Sequence, residues 1–540
     1  MILPVSPRPL RTAVALAVTA VLAGGCTDAG TSAVSTGATA GESPLPSVPP
    51  AQPAPQMSDE DVRRAVDRLD GIVRDAMRRT GVPGVAVGVV HDGEVLYAKG
   101  FGVRRVGAEG RVEADTVFQL ASLSKPLAST VVARAVGEKT VGWDDPVVEY
   151  SPEFALKDPW VTRHVTLADL FSHRSGLPDH AGDLLEDLGY DRSSILERLR
   201  YEPLTPFRAG YAYTNFGLTA AGVAVARAAG TSWEELSADK LYRPLGMDDT
   251  SSTFADYERA GNKAVTHVES GGTWKAAYVR DADEQSPAGG ASSTVDDMTK
   301  WMRLQLDDGR FQGRQIVAEE PLQQTHLPHI VSAPPPAPAG RTGFYGLGWN
   351  VGYDDQGRLK LGHSGAFALG AATGVHLLPS EDLGIVVLTN GRPVGVPEAI
   401  MADFIDTAQT GRPTVDWLGF FGQLIEQSVE SERSPVDYAK PPADAKPARA
   451  DSAYTGTYTN DYYGPMNVTV RDDELTMQLG PKKQRFTLTH FDGDTFSYRT
   501  TGENAVGLSG VTFTVAAGGR AEKVRVENLD DNGLGTFVRK

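Results

Sequence analysis

The chain has 540 residues, too many for one ordinary domain and suited to two or three. Hydrophobic residues make up 41% and charged residues 22%, which excludes global disorder and a long coiled coil. With 52 Lys and Arg against 69 Asp and Glu, the net charge of −17 also argues against a nucleic-acid partner, which needs clustered cations.

The N-terminus has the form of an export signal. Arg8 and Arg11 supply the positive flank, and the apolar run Thr12 to Ala23 is too short to span a bilayer, which takes about 20 residues. Leu22-Ala23-Gly24-Gly25-Cys26 closes the segment and resembles a lipobox, in which the cysteine is lipidated. Ala23 stands where a large apolar residue is usual, and a plain secretory signal is the alternative. Residues 1–26 are therefore expected to be a lipoprotein signal peptide. Residues 27–56 are rich in Gly, Ala, Ser, Thr and Pro, and are expected to be a disordered tether.

Ordered structure is expected from residue 57. Ser58 with Asp61 forms a capping pair, and Val62, Val66, Leu69, Val73 and Ala76/Met77 follow at helical spacing until Gly81 and Pro83. Val85–Val90 and Glu94–Gly100 flank His91-Asp92-Gly93, a hairpin signal. Residues 140–300 are mostly helical in pattern. Strand candidates resume at Tyr345–Val351, Leu359–Gly362, Ala371–Leu378 and Leu383–Asn390, after a Pro-rich loop between His326 and Tyr345. An antiparallel sheet flanked by helices and interrupted by a helical insertion is expected over residues 57–412. The helix Trp417–Val429 and a Pro/Ala/Lys linker fill residues 413–450. Residues 451–540 carry roughly eight short alternating runs, which indicate a small antiparallel β-barrel-like domain. The fold class is thus α/β (α+β) followed by an all-β module.

Three segments carry chemistry. Ser122-Leu123-Ser124-Lys125 has the form S-x-x-K before an apolar helical run, so i and i+3 share a face and the hydroxyl and amine can meet. A buried lysine at a helix N-terminus can lose its proton and act as a base. Tyr213-Thr214-Asn215 offers a phenol for proton transfer and an amide for a substrate carbonyl. His363-Ser364-Gly365 lies at a strand edge, which suits an oxyanion hole. Two of these patterns recur as decoys, at Ser237-Ala238-Asp239-Lys240 and Tyr458-Thr459-Asn460. The one cysteine leaves no intrachain disulfide and no Cys-based zinc cluster, and the 10 histidines form no H-E-x-x-H, so neither metal nor cofactor is expected.

The three segments stand in the order Ser-x-x-Lys, Tyr-x-Asn, His-x-Gly, at spacings of 91 and 150 residues. With Thr166–Leu177, Arg243–Met247, Pro287–Thr294 and Tyr345–Trp349 between and around them, the chain resembles the serine β-lactamase/penicillin-binding-protein family in its class C branch. That branch includes D-Ala-D-Ala carboxypeptidases and family VIII esterases, and the likeness covers about two-thirds of the chain. The resemblance implies that Ser122 is the acylated nucleophile, Lys125 helps deprotonate it, and Tyr213 shuttles the proton to the leaving group. It makes the N–H groups of Ser122 and Ala366 the oxyanion hole, and assigns substrate binding to Asn215, His363, Ser364 and Gly365. His363 stands where class C β-lactamases carry lysine, and a histidine is about half charged near its ordinary pKa of about 6.5. Peptidase or esterase activity is therefore ranked above strong β-lactamase activity.

The function expected is an exported serine hydrolase acting through an acyl-enzyme on an amide or ester, lipid-anchored to the extracytoplasmic face of the membrane. Its substrate would be a small molecule or a peptidoglycan peptide. A penicillin-sensing or cell-wall-binding lipoprotein with little turnover is the alternative.

Overall fold

The structure is a computed structural model that describes residues 53–335, 337 and 340–540. The expected signal segment, Cys26, the tether to residue 52, and Pro336 and Pro338 of the Pro-rich loop lie outside the described residues. Among the described residues, no helix is long and apolar enough to cross a membrane.

The first helix, Asp59–Thr80, begins where the capping pair places it. Ser58 accepts from the Asp61 N–H, the Asp61 carboxylate accepts from the Ser58 N–H, and Gly81 ends the helix at φ 71°. Val62, Ala65, Leu69, Val73 and Ala76 form its buried stripe. That stripe and the helix Val396–Thr410 share one apolar cluster with Val85, Val87, Val89, Ile385 and Val387 of the central sheet. The opposite face of the sheet packs into a larger core that includes the helices Ser124–Gly137, Asn215–Ala228 and Val295–Leu306.

The sheet has eight strands in the order Glu94–Gly102, Gly84–His91, Leu383–Thr389, Ala371–Leu378, Leu359–Phe367, Asn350–Tyr353, Gly343–Tyr345 and Ile330–Ala333. The early hairpin pairs antiparallel with the last strand (Val85 opposite Thr389), so the sheet opens early and is completed about 300 residues later, around the helical insertion.

Three strand limits differ from expectation. The run Tyr345–Val351 is not one strand. Gly348 adopts φ 81° and the Gly346 N–H donates to the Trp349 carbonyl, so the chain reverses into a hairpin. The loop 326–345 contributes the edge strand Ile330–Ala333. Finally, the strand from Leu359 runs on to Phe367, so His363-Ser364-Gly365 lies within it rather than at its end. Its pairing with Asn350–Tyr353 stops at Gly362, whereas pairing with Ala371–Leu378 continues to Phe367. Residues 363–367 thus pair on one side only, which keeps the edge character that the motif was read for.

The C-terminal sheet has nine strands and is a nearly closed barrel. The expected strand Phe486–His490 divides at Leu488, whose N–H bonds to the Leu475 carbonyl, giving Gln484–Thr487 and Thr489–Asp492 as the two ends of the sheet. Tyr454, Tyr458, Tyr462 and Tyr463 of this barrel are all buried. They join an apolar cluster continuous with the larger core, and the described residues from 53 onward form one compact unit.

Candidate active site

Ser122 sits in a single 3₁₀ turn, Ala121–Leu123, that feeds directly into the helix Ser124–Gly137. The residue before it, Ala121, holds φ 49°, a left-handed conformation that costs an alanine about 1 kcal/mol or more. The strain is held in place by the surroundings. The Ser124 hydroxyl donates to the Ala121 carbonyl and accepts from the Ala291 N–H, and the Leu120 N–H donates to the Ala291 carbonyl.

One turn on, Lys125 is fully buried. Its Nζ lies 3.0 Å from Ser122 Oγ, 2.7 Å from Asn215 Oδ1 and 3.0 Å from the Ala288 carbonyl. Burial pushes its pKa down to about 7, with the charge of Asp183 pulling the other way. As a neutral amine, Lys125 has two N–H donors and one lone pair. Asn215 and Ala288 take the donors, and the lone pair remains for the Ser122 O–H.

Tyr213 completes the serine's bonding, its phenol donating to Ser122 Oγ over 2.8 Å. Its ring lies 4.5 Å from Lys125 Nζ. Burial raises the Tyr213 pKa well above 10, although the Ser122 bond opposes the rise. The resting phenol is therefore neutral, and Lys125 is the better base of the two. Tyr213 is held from behind by residues outside the three motifs. His173, at φ 57°, accepts from the Thr214 N–H and receives the Ala212 N–H on its own carbonyl. Its ring packs 4.6 Å from that of Tyr213 and 4.9 Å from that of Tyr345. Buried Asp169 binds both Arg174 (2.8 Å) and Arg208 (2.7 Å), which fixes the segment entering Tyr213.

Asn215 opens the helix Asn215–Ala228, and its amide orientation is set by Asp183. Nδ2 donates to Asp183 Oδ2 over 2.9 Å, which turns Oδ1 toward Lys125. The same Asp183 oxygen lies 2.9 Å from Nδ1 of His180, whose pKa it raises to about 9, and the His180 N–H donates to the Tyr213 carbonyl. Ser122, Lys125, Asn215, Asp183, His180 and Tyr213 thus form a closed hydrogen-bonded ring. Replacing Asp183 with asparagine removes a charge that favours protonated Lys125, so the acid limb of the pH–rate profile moves to lower pH. Asp183→Ala also frees the Asn215 amide and lowers kcat by about tenfold or more, as loss of a charged hydrogen bond does. Steady-state kinetics across pH on both variants measure the two effects separately.

His363 does not carry the expected partial charge. Burial, then the charge of Lys125, drives its pKa down to about 3. Its ring lies between the Ser364 carbonyl, 2.7 Å from Nδ1, and the Tyr345 phenol, 2.9 Å from Nε2. A neutral ring satisfies both, with Nδ1–H donating and Nε2 accepting. Strand alternation separates the rest of the motif. Gly365 faces the nucleophile turn, where a Cβ would come 2.2 Å from the Leu120 carbonyl and 3.1 Å from the Leu123 nitrogen. Ser364 pairs with Gly374, on the face that meets Met401 and Pro397 of the outer helix, so its hydroxyl points away from Ser122. Ala366 follows on the strand that the glycine brings up to the Ser122 turn.

The decoys are occupied elsewhere. Ser237 donates to the Trp233 carbonyl and Lys240 pairs with Glu138, while Tyr458 donates to the Tyr454 carbonyl.

Residues 69–410 match the family described as Beta-lactamase, well over half of the chain. The chain belongs to the beta-lactamase family. It is a serine hydrolase, and Ser122 is in hydrogen-bond contact with both Lys125 and Tyr213. Residues 440–534 match a second family, described as a domain of unknown function (DUF3471). Among beta-lactamase-family relatives, the chain is 26% identical over 442 residues to a protein of Aspergillus campestris named an unguisins hydrolase, covering 77% of this chain and 80% of that one. It is 26% identical over 364 residues to the D-alanyl-D-alanine-carboxypeptidase/endopeptidase AmpH of Escherichia coli, covering 65% of this chain and 89% of AmpH. The octameric penicillin-binding protein homologue from Pyrococcus abyssi superposes with a TM-score of 0.55 at 18% identity, covering 88% of this chain and all 100% of that one. The last likeness extends the shared fold beyond the hydrolase body.

Proposed function

We propose that the protein is an exported, lipid-anchored acyl-enzyme hydrolase that cleaves D-amino-acid peptides or small esters in preference to β-lactams. The observation that carries the reading is Ser122 Oγ lying within hydrogen-bond distance of both the buried Lys125 amine and the Tyr213 phenol. In the reaction, Lys125 accepts the Ser122 proton as Oγ attacks the carbonyl carbon. The oxyanion is met by the N–H groups of Ser122 and Ala366, and Asn215 holds the substrate amide. Tyr213 passes a proton to the departing oxygen or nitrogen, and the Tyr213–Lys125 pair then activates the water that releases the acyl group.

The substrate preference rests on His363. A penicillin-type carboxylate gains little from a neutral imidazole bonded on both nitrogens. Peptide substrates are supported by the name of one relative, a D-alanyl-D-alanine-carboxypeptidase/endopeptidase. Membrane attachment rests on the lipobox-like Leu22–Cys26, and predicts that Cys26→Ser moves the protein from the membrane fraction to the soluble one.

The test is turnover of p-nitrophenyl acetate, a D-Ala-D-Ala peptide and nitrocefin by the purified protein, with Ser122→Ala as control. The proposal expects ester or peptide kcat/KM to exceed that for nitrocefin and all three to vanish in the variant. Faster nitrocefin hydrolysis contradicts the preference, and a stable adduct without turnover indicates a penicillin-binding lipoprotein instead.

A further inference from the structure

One loop of the C-terminal barrel, between the strands Thr495–Arg499 and Leu508–Val515, reaches both walls of the catalytic cleft. The backbone N–H groups of Glu503 and Asn504 donate to Asp187, each over 2.9 Å, and Asn504 Nδ2 adds a third bond of 2.9 Å. Asp187 ends the short helix Asp183–Asp187, whose first residue orients Asn215. Gly502 makes this approach possible. It holds φ 105°, and a Cβ there would lie 2.5 Å from the Asp187 carboxyl group.

The Glu503 side chain crosses to the opposite wall. Its carboxylate accepts the N–H of Ala368 over 2.5 Å and that of Leu369 over 3.3 Å. These are the first two residues after the strand that carries Gly365 and Ala366. Beneath them, Arg280 is 7% exposed and lies 3.9 Å from Glu503, bonds Glu186 over 2.6 Å, and packs 5.3 Å from the ring of Phe367, the last residue of that strand. Burial raises the pKa of Glu503 to about 7, with Arg280 and the two N–H groups opposing the rise. A single residue of the barrel therefore ties the helical wall to the sheet wall, by its main chain on one side and its side chain on the other.

We propose that Glu503 is a positioning residue of the hydrolase, through which the barrel sets the Ala366 strand against the Asp183 helix. The proposal rests on the reading of Ser122 as nucleophile and Ala366 as oxyanion donor. Glu503 touches no reacting atom. Its effect is on the distance between oxyanion donor and nucleophile, and displacements of about 1 Å at such sites cost up to about a hundredfold in rate.

The test compares Glu503→Ala, Glu503→Gln and Glu503→Asp in the full chain, by kcat and KM for p-nitrophenyl acetate and by the rate of Ser122 labelling with a fluorophosphonate. Glutamine keeps an acceptor oxygen at full reach, whereas aspartate keeps the charge but is one methylene too short. The expected order is Gln within about threefold of the parent kcat, and Asp and Ala at least about tenfold below it, with KM little changed. Asn532→Ala removes a barrel–body bond to Glu202 that involves neither Asp187 nor residues 368–369, and is expected to leave kcat unchanged. Failure to label Ser122 in the parent protein overturns the reading of the site itself. With labelling intact, the Glu503 proposal is overturned by an Asp variant as fast as Gln, by an Ala variant at parental kcat, or by an equal loss in Asn532→Ala. Should the Ala variant not fold, the Gln–Asp comparison decides.

Discussion

Lys125→Arg is expected to lower kcat/KM by about a thousandfold, within the range that general-base catalysis contributes. A guanidinium keeps its proton at any working pH, so it cannot receive one from Ser122. The parent protein is expected to lose activity as the pH falls through about 7, because below that value the buried amine is an ammonium. In the arginine variant that limb disappears from the residual activity. A pH profile of kcat/KM for both proteins checks the two claims together. An acid limb near 7 that survives in the variant would assign the titration to another group.

Tyr213→Phe carries the second large effect, and it depends on the leaving group. The phenol sits 2.8 Å from Ser122 Oγ, where it can hand a proton to a group departing from the acyl carbon. An amide nitrogen must be protonated to leave, whereas p-nitrophenolate leaves as an anion. The expected loss in kcat is therefore about 100-fold or more for a peptide and clearly smaller for p-nitrophenyl acetate, with KM changed only a few-fold. Equal losses on both substrates would restrict Tyr213 to orienting Ser122.

Much of the site is legible in the chain because its chemistry is local. Ser122 and Lys125 meet because i and i+3 share a helical face, and Tyr213 and Asn215 follow from a three-residue pattern. What holds these groups is not local. His173 and Asp183 act from segments 40 and 32 residues before Tyr213 and Asn215 through a few hydrogen bonds and ring packing, and no periodicity announces such contacts. The phrase Ser172-His173-Arg174 was visible as a family mark, but its role depends on His173 at positive φ beneath two tyrosine rings. The charge of His363 is not legible for a related reason. Its charge depends on burial beside Lys125 and on the Tyr345 phenol 18 residues away, and a sequence gives the reference pKa rather than the surroundings.

The fold shows the same division. The first helix, the early hairpin and the late strands follow from caps and alternation. The hairpin at Gly346–Trp349 and the split at Leu488 depend on tertiary approach, as does the barrel loop that reaches the cleft. How the barrel meets the catalytic body is likewise not local: buried Tyr462 accepts the Gly182 N–H at 3.0 Å, beside Asp183.

The most direct measurement is intact-protein and peptide mass spectrometry after treatment with a fluorophosphonate or penicillin probe. One adduct per chain, on the peptide containing Ser122 and absent from Ser122→Ala, is the predicted result. An unmodified Ser122, or an equal adduct in the variant, contradicts the mechanism at its first bond.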